Sequence, residues 1–209
     1  LAAAGHAEAK INLPVAQNKL AVALADMGGI ENVEKAIGIL SPLAAAGHAE
    51  AKINLPVAQN DLAAALAETG SIENLEKAIG ILTPLATAGH AMAETNLPKV
   101  QFLLAIKIAK TDTVENLEKA IGILTPLATA GHAEAQRDLP KVQFGLAVVL
   151  ANTGTIENLE RAIEILTPLV EAGDAAARSN LLQIQLVRAL LMAHTTGAAS
   201  GGLDMDAVD

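Results

Sequence analysis

Residues 43–84 read LAAAGHAEAKINLPVAQNDLAAALAETGSIENLEKAIGILTP, and this 42-residue phrase decides the fold. It occurs four times in unbroken register and is followed by a degenerate fifth copy. The copies start at Leu1, Leu43, Leu85, Leu127 and Leu169. A fixed period of this length is typical of solenoids, in which a unit cannot bury its apolar face alone and therefore stacks on its neighbours.

The predicted domain organisation is one repeat array over residues 1–196 and a flexible acidic tail over residues 197–209. The array consists of units 1–42, 43–84, 85–126 and 127–168 and a degenerate unit 169–196. The tail is predicted from a Gly-rich, acidic sequence that ends in GGLDMDAVD, because such a composition cannot bury enough apolar surface to fold. The chain begins at Leu1 in mid-phrase, which we interpret as a processed product or part of a longer array.

The composition argues against several classes of function. The net charge of −9 disfavours a nucleic-acid backbone or an anionic membrane as the partner. The chain has no Trp or Tyr, and its only aromatic residues are Phe102 and Phe144, so it lacks the stacking platforms of single-strand binders. It has no cysteine, and no stretch approaches the 18 apolar residues of a spanning helix. We therefore expect a soluble protein without membrane insertion, in the cytoplasm or outside the cell.

Each phrase carries two amphipathic helical patterns joined by a short turn. In the second unit the first helix is predicted from about Ala49 to Glu68, and the second begins near Ile72. The position just before the second helix holds residues that are accepted as N-caps. These are Gly29, Ser71, Thr113 and Thr155. Ion pairs between residues four apart are possible early in the second helix. They would join Glu31 to Lys35, Glu73 to Lys77, Glu115 to Lys119 and Glu157 to Arg161.

Two sets of prolines leave two architectures open. Pro42, Pro84, Pro126 and Pro168 follow Ser or Thr, while Pro14, Pro56, Pro98 and Pro140 follow Asn-Leu or Asp-Leu. Ser-Pro and Thr-Pro pairs are typical of a fresh helix start, which would give three helices per unit. The interpretation that we favour has two long helices per unit, each bent or nicked at its proline.

The repeats resemble two known families at specific stretches. GHAEAKINL (47–55) closely resembles the signature of Sel1-like repeats, and QNDLAAALAETG (59–70) with ENLEKAI (73–79) resembles the helices of tetratricopeptide repeats. The resemblance implies an α/α solenoid that binds or organises proteins. The carboxylate clamp of chaperone-binding tetratricopeptide domains is absent here. Its Lys and Asn positions align with Asn18, Asn60, Phe102 and Phe144 and with Val22, Ala64, Ile106 and Val148.

The repeated histidines are interpreted as structural and not as metal ligands. His6, His48, His90 and His132 recur every 42 residues, and Asp174 occupies the same position in the fifth unit, directly after Gly173. A glycine that ends one helix, followed by a side chain that caps the next, accounts for both residue types. A metal site would need three or four donors converging on one point.

Other repeated polar residues have two interpretations each. Asn12, Asn54, Asn96, Asp138 and Asn180 either cap a proline-nicked helix, which we favour, or form a polar ladder. Gln17, Gln59, Gln101 and Gln143 either bond between repeats or line the inner surface. Phe102 and Phe144, with Lys99 and Lys141 three residues before them, either fill the core or form an apolar-cationic patch.

The sequence therefore predicts an all-α fold, a right-handed α/α solenoid of helix-turn-helix repeats. We expect a non-enzymatic scaffold for protein–protein interactions, with no catalytic residue, metal, cofactor or small-molecule substrate. The candidate protein-binding surface is Gln17, Gln59, Lys99, Gln101, Phe102, Lys141, Gln143 and Phe144. An alternative is a structural subunit that self-assembles end to end into a filament through Leu182, Leu186, Leu190 and Leu191. A second alternative is a repeat arm of a larger multidomain protein.

Overall fold

The computed structural model describes the backbone of residues 7–200 and the side chains of residues 8–194. This part of the chain forms nine α-helices and no strand. The helices are α1 (Ala7–Met27), α2 (Ile30–Ala45), α3 (Ala49–Glu68), α4 (Ile72–Thr87), α5 (Ala91–Ala109), α6 (Val114–Thr129), α7 (Ala133–Asn152), α8 (Ile156–Glu171) and α9 (Ala175–Ser200). The odd-numbered helices are the first of each repeat and are called A-type, and the even-numbered helices are called B-type. The all-α fold with two helices per repeat is thus as predicted.

The packing divides the chain into two compact units, one up to Lys107 and one from Ile108 onwards. In the first unit, α1 packs on α2, α2 on α3 and α3 on α4, and α1 also touches α3. In the second unit, α6 packs on α7, α7 on α8 and α8 on α9, and α7 also touches α9. Consecutive helices therefore pack as in a helical repeat solenoid. The single array over residues 1–196 and the right-handed superhelix stay predictions.

Each B-type helix buries one row of small and branched side chains. In α4 the row is Leu75, Ala78, Leu82 and Leu85, with spacings of three and four residues that place all four on one face. Its equivalents are buried in α2, α6 and α8. The alanine in each row is fully buried, and the larger apolar side chains of the row are buried on either side of it.

The turn inside each repeat is closed by the predicted capping residues. The hydroxyl oxygens of Ser71, Thr113 and Thr155 each accept a hydrogen bond from a backbone N–H three residues on, at 3.2–3.3 Å. Gly29 holds this position in the first repeat and provides no side-chain cap. The predicted i,i+4 pairs form at Glu31–Lys35 and Glu73–Lys77. Arg161 instead pairs with Glu118 of the preceding B-type helix.

The junctions between repeats confirm the capping interpretation at His48 and His132, whereas the side chain of His90 does not cap α5. The N–H of Gly47 donates to the Ala44 carbonyl and that of His48 to the Leu43 carbonyl, which ends α2 in a Schellman motif. His48 Nδ1 then accepts a hydrogen bond from the Ala51 N–H at 3.3 Å, capping α3. His132 and Asp174 cap α7 and α9 in the same way. His6 lies outside the described residues.

The prolines do not start new helices, so the three-helix alternative is not observed in residues 7–200. All eight lie inside helices that continue past them. The hydroxyl before each proline of the B-type helices bonds back to a carbonyl four residues earlier and does not cap. Ser41 Oγ, for example, donates to the Ile37 carbonyl at 2.7 Å. The helix α9 extends to Ser200, so residues 197–200 of the tail predicted over residues 197–209 are helical and the predicted boundary at 196/197 is wrong. Residues 201–209 lie outside the described residues.

We expect the triple variant Gly38→Ala, Gly80→Ala and Gly122→Ala to be more stable than the unsubstituted chain. Each glycine lies inside a B-type helix, and a Cβ there would meet no atom within 4 Å. Alanine lowers the backbone entropy of the unfolded chain, which raises the free energy of unfolding by about 0.5–1 kcal/mol per site. Urea denaturation followed by circular dichroism measures it.

The matched control is Gly47→Ala, which we expect to destabilise the protein. Gly47 has a φ of +91°, in the left-handed region that an L side chain rarely adopts. Equal effects of the interior and the junction substitutions would contradict this explanation.

Candidate binding surface

The predicted surface residues lie on A-type helices, and several of them are accessible. Gln17, Lys99 and Lys141 are exposed, while Gln59, Gln101, Gln143, Phe102 and Phe144 are half-buried. None of the four glutamines makes a side-chain hydrogen bond within the described residues, so the predicted bonding of amides between repeats is not seen at these positions. Phe102 lies on α5 in the first unit, and Phe144 lies on α7 in the second unit.

In the second unit, Lys141 is part of a small ionic cluster on α7. Lys141 Nζ lies 2.7 Å from Asp138 Oδ1, and Arg137 pairs with the same carboxylate at 2.8 Å. Hydrogen bonds from Arg137 and then Lys141 hold the pKa of Asp138 well below its usual range. Because the carboxylate already engages the charge of Lys141, a cationic patch beside Phe144 is weaker than its sequence suggests.

Buried asparagine side chains link neighbouring A-type helices of the first unit. Asn18 Nδ2 donates to Glu50 Oε2 at 3.0 Å, and Asn18 Oδ1 accepts from Asn54 Nδ2 at 3.2 Å. One repeat later, Asn60 Oδ1 accepts from Asn96 Nδ2 at 3.1 Å. Local capping is therefore wrong for Asn54 and Asn96, which form a polar ladder between repeats.

The other residues of this set behave differently. Asn180 Nδ2 donates to the Ala176 carbonyl within its own helix, as local bonding predicts. Asp138 uses its carboxylate for the ion pairs of α7. The ladder therefore depends on the asparagines at positions 18 and 60. These positions hold Phe102 and Phe144 in the next two repeats, where an aromatic ring cannot accept the same hydrogen bond.

An apolar groove of about 410 Å³ lies between α3 and the beginning of α5. Its lining consists of Lys52, Ile53, Pro56, Val57, Asn60, His90, Ala91, Met92 and Ala93. Ile53, Met92 and Val57 expose 69%, 52% and 45% of their surface in this groove. The groove can therefore accept apolar side chains of a ligand.

A single departure from the repeat explains where the groove opens. Met92 stands at the position of Glu8, Glu50 and Glu134. In the preceding pair of repeats, Glu50 reaches back to Asn18 and completes the polar ladder. Met92 cannot accept that hydrogen bond in the same way, and its thioether side chain leaves an apolar surface above Asn60. Met92 is the residue in the sequence that indicates the groove. It was missed because the sequence analysis considered only residues that recur in the repeats.

Asp61 follows the groove residue Asn60 on α3, and its side chain is half-buried. Burial raises the pKa of the Asp61 carboxyl, an effect that a hydrogen bond with Asn60 partly offsets and the nearby charge of Asp26 reinforces. Within residues 8–194, no three His, Cys, Asp or Glu side chains come together as metal ligands would.

Comparison with known proteins does not identify a family. No family model matches the chain, and no curated protein matches it. A crystal structure of a de novo designed helical repeat protein is similar to it at 20% sequence identity, covering 92% of this chain and 99% of that one, with a TM-score of 0.25. None of the described helices is long and apolar enough to cross a membrane.

We expect Asn18→Ala to lower the free energy of unfolding by about 1–3 kcal/mol, because it removes a buried partner from both Glu50 and Asn54. The neighbouring exposed residue provides the control: Gln17→Ala should change stability by less than about 0.5 kcal/mol. Urea denaturation of the two variants in parallel measures the difference. Coincident midpoints would show that the polar ladder contributes nothing to stability.

Proposed function

We propose that the protein is a non-enzymatic scaffold that binds a segment of another protein along its A-type helices. The apolar groove between α3 and α5 is the observation that carries this proposal. Helical repeats are typical of interaction scaffolds because stacked helices present aligned side chains over an extended surface. The resemblance to Sel1-like and tetratricopeptide repeats points the same way. The partner is a protein and not a nucleic acid, membrane or small-molecule substrate.

The groove favours a partner segment of a particular chemistry. Its volume of about 410 Å³ lies within the range of ligand sites in proteins. Ile53, Val57 and Met92 offer apolar contact, and the flexible methionine can adapt its shape to different side chains. Lys52 supplies a positive charge at the same site. A short segment with an apolar anchor next to an acidic residue therefore fits best.

We propose that the residues singled out by the sequence belong to the same binding surface. Gln59 precedes Asn60 on α3, and Lys99, Gln101 and Phe102 follow the groove residues along α5. Their amide and ammonium groups are available to hydrogen-bond the backbone of a bound segment. In the second unit, Gln143 and Phe144 offer an amide and an aromatic ring at equivalent positions on α7.

The substitution Met92→Glu tests the proposal. Peptides selected from a displayed library for binding to the unsubstituted chain should bind the variant about ten-fold or more weakly, since a charged carboxylate is costly to bury against their apolar anchor. Met27→Glu is the matched control, because Met27 is an exposed methionine of α1 outside the groove. Fluorescence polarisation with labelled peptides measures both affinities.

The fold should tolerate Met92→Glu, because three other repeats carry glutamate at the equivalent position. Equal circular dichroism spectra of the variant and the unsubstituted chain check this. Selected peptides that bind the Met92→Glu variant undiminished would refute the groove as the binding site.

End-to-end self-assembly is a second candidate, favoured by the apolar surface of α9. Leu182, Leu186 and Leu190 are 63%, 62% and 55% exposed, while Leu191 is half-buried. Contacts that do not close would then generate a filament. Sedimentation velocity over a range of concentrations should show association that Leu186→Glu reduces. A single species of monomer mass at high concentration would contradict this candidate. The third candidate, a repeat arm of a larger protein, is tested by the full reading frame.

A further inference from the structure

The last A-type helix exposes one position that every full repeat buries, and two positions that the full repeats bury or half-bury. Alanine recurs at one position of the A-type helices. Ala21, Ala63, Ala105 and Ala147 are each 0% exposed. Ala189, the equivalent residue of α9, is exposed. The identity of the residue has not changed, so the difference lies in what covers it.

Two neighbouring positions on α9 follow the same pattern. Leu186 is 62% exposed, whereas its equivalents Asn18 and Asn60 are 3% and 4% exposed and Phe102 and Phe144 are half-buried. Met192 is 43% exposed, whereas its equivalents Leu66, Ile108 and Leu150 are 6%, 2% and 0% exposed and Leu24 is half-buried. Leu186, Ala189 and Met192 are three residues apart and share one face of the helix. We call these three residues the open face of α9.

In the other repeats, a B-type helix contributes to the cover of this face. Ala21 of α1 belongs to one buried cluster with Val33, Ala36 and Leu40 of α2. The A-type helices α1, α3 and α7 each pack on the B-type helix that follows them, whereas α9 packs on α8 and α7, which precede it. The open face is thus the continuation of an interface that the repeats already form.

We propose that the open face of α9 binds a B-type amphipathic helix supplied by another polypeptide chain. The required pattern is Leu-x-x-Ala-x-x-x-Leu-x-x-Leu, as in Leu159, Ala162, Leu166 and Leu169 of α8. The described B-type helices are buried against their own neighbours, so they are not free to supply it. The sequence of residues 195–209 contains a single leucine and lacks the pattern. This surface is separate from the groove of α3 and α5, and the proposal does not depend on that groove.

The test uses the full chain and a labelled synthetic peptide with the sequence of Ile156–Glu171. A free helix of 16 residues is marginally stable in water, so binding should increase the helical circular dichroism above the sum of the two components. Fluorescence polarisation should show saturable binding with one peptide per chain. A peptide carrying both Leu159→Asp and Leu166→Asp should not bind.

The substitution Ala189→Glu in the full chain should lower the affinity for the peptide about ten-fold or more. It places a charge where the two helices must approach closely. Gln185→Glu is the matched control, since it adds the same charge at an exposed position outside the open face. Leu186→Glu provides a second variant. Ala189 and Leu186 are both exposed, so α9 should keep its helix content in these variants. Circular dichroism checks this.

Four results would overturn the proposal. The first is that the peptide does not bind. The second is that it binds the Ala189→Glu and Leu186→Glu variants as tightly as the unsubstituted chain. The third is that binding is removed by Leu20→Glu, a substitution on the exposed side of α1. Loss of peptide binding with Met92→Glu alone would place the peptide in the groove and would also contradict the proposal. Because the groove and the open face respond to different substitutions, failure of one proposal is distinguishable from failure of the other.

Discussion

Apolar contact between consecutive helices is the interaction on which the rest of the structure depends. Each B-type helix buries a row of leucine and alanine side chains, with the alanine fully enclosed. A helix of 16 residues has little stability of its own in water, so its order comes from the neighbours on which it packs. The capping residues fix where each helix begins and ends, but the shared apolar faces hold the helices together.

This constraint explains why departures from the repeat mark the surfaces available for binding. Glu50 keeps the residue that is common to the repeats, and its carboxylate accepts a hydrogen bond from Asn18 of the preceding repeat. Where Met92 replaces that glutamate, the polar contact is replaced by an apolar groove. On α9 the residue can be unchanged, as with Ala189, and the surface is open because the helix that covers its equivalents is not packed there. Both surfaces thus arise from interruptions of one stacking pattern.

Much of the fold could be predicted from the sequence because its signals are local and repeated. The 42-residue period, the helical spacing of the leucines and the Ser or Thr before Glu-Asn predicted two helices per repeat, and α3 has the predicted bounds. The histidine caps could be predicted because Asp174, a common N-cap residue, occupies the position of the histidines in the fifth unit. The proline positions were harder, because Ser-Pro and Thr-Pro are compatible with both a helix start and a helix interior.

The binding surfaces were less predictable because they depend on contacts between repeats. The sequence showed Asn54 and Asn96 near prolines, which suggested local capping. Only packing showed that their amides reach Asn18 and Asn60 of the preceding helix. The groove depends on one methionine whose neighbours in space lie about one repeat away in the chain. The exposed leucines of α9 were predicted from their pattern, whereas the exposure of Ala189 required comparison with four buried equivalents.

The most direct test of the stacking account compares the unfolding of one repeat with that of two. Residues 43–84 alone and residues 1–84 would be unfolded in urea and followed by circular dichroism. We predict little helix and no cooperative transition for the single repeat, and a cooperative transition for the pair. The reason is that the free energy of unfolding is the sum of small contributions from the individual repeats and large contributions from the interfaces between them. A single repeat that unfolds cooperatively at the same midpoint as the pair would contradict it.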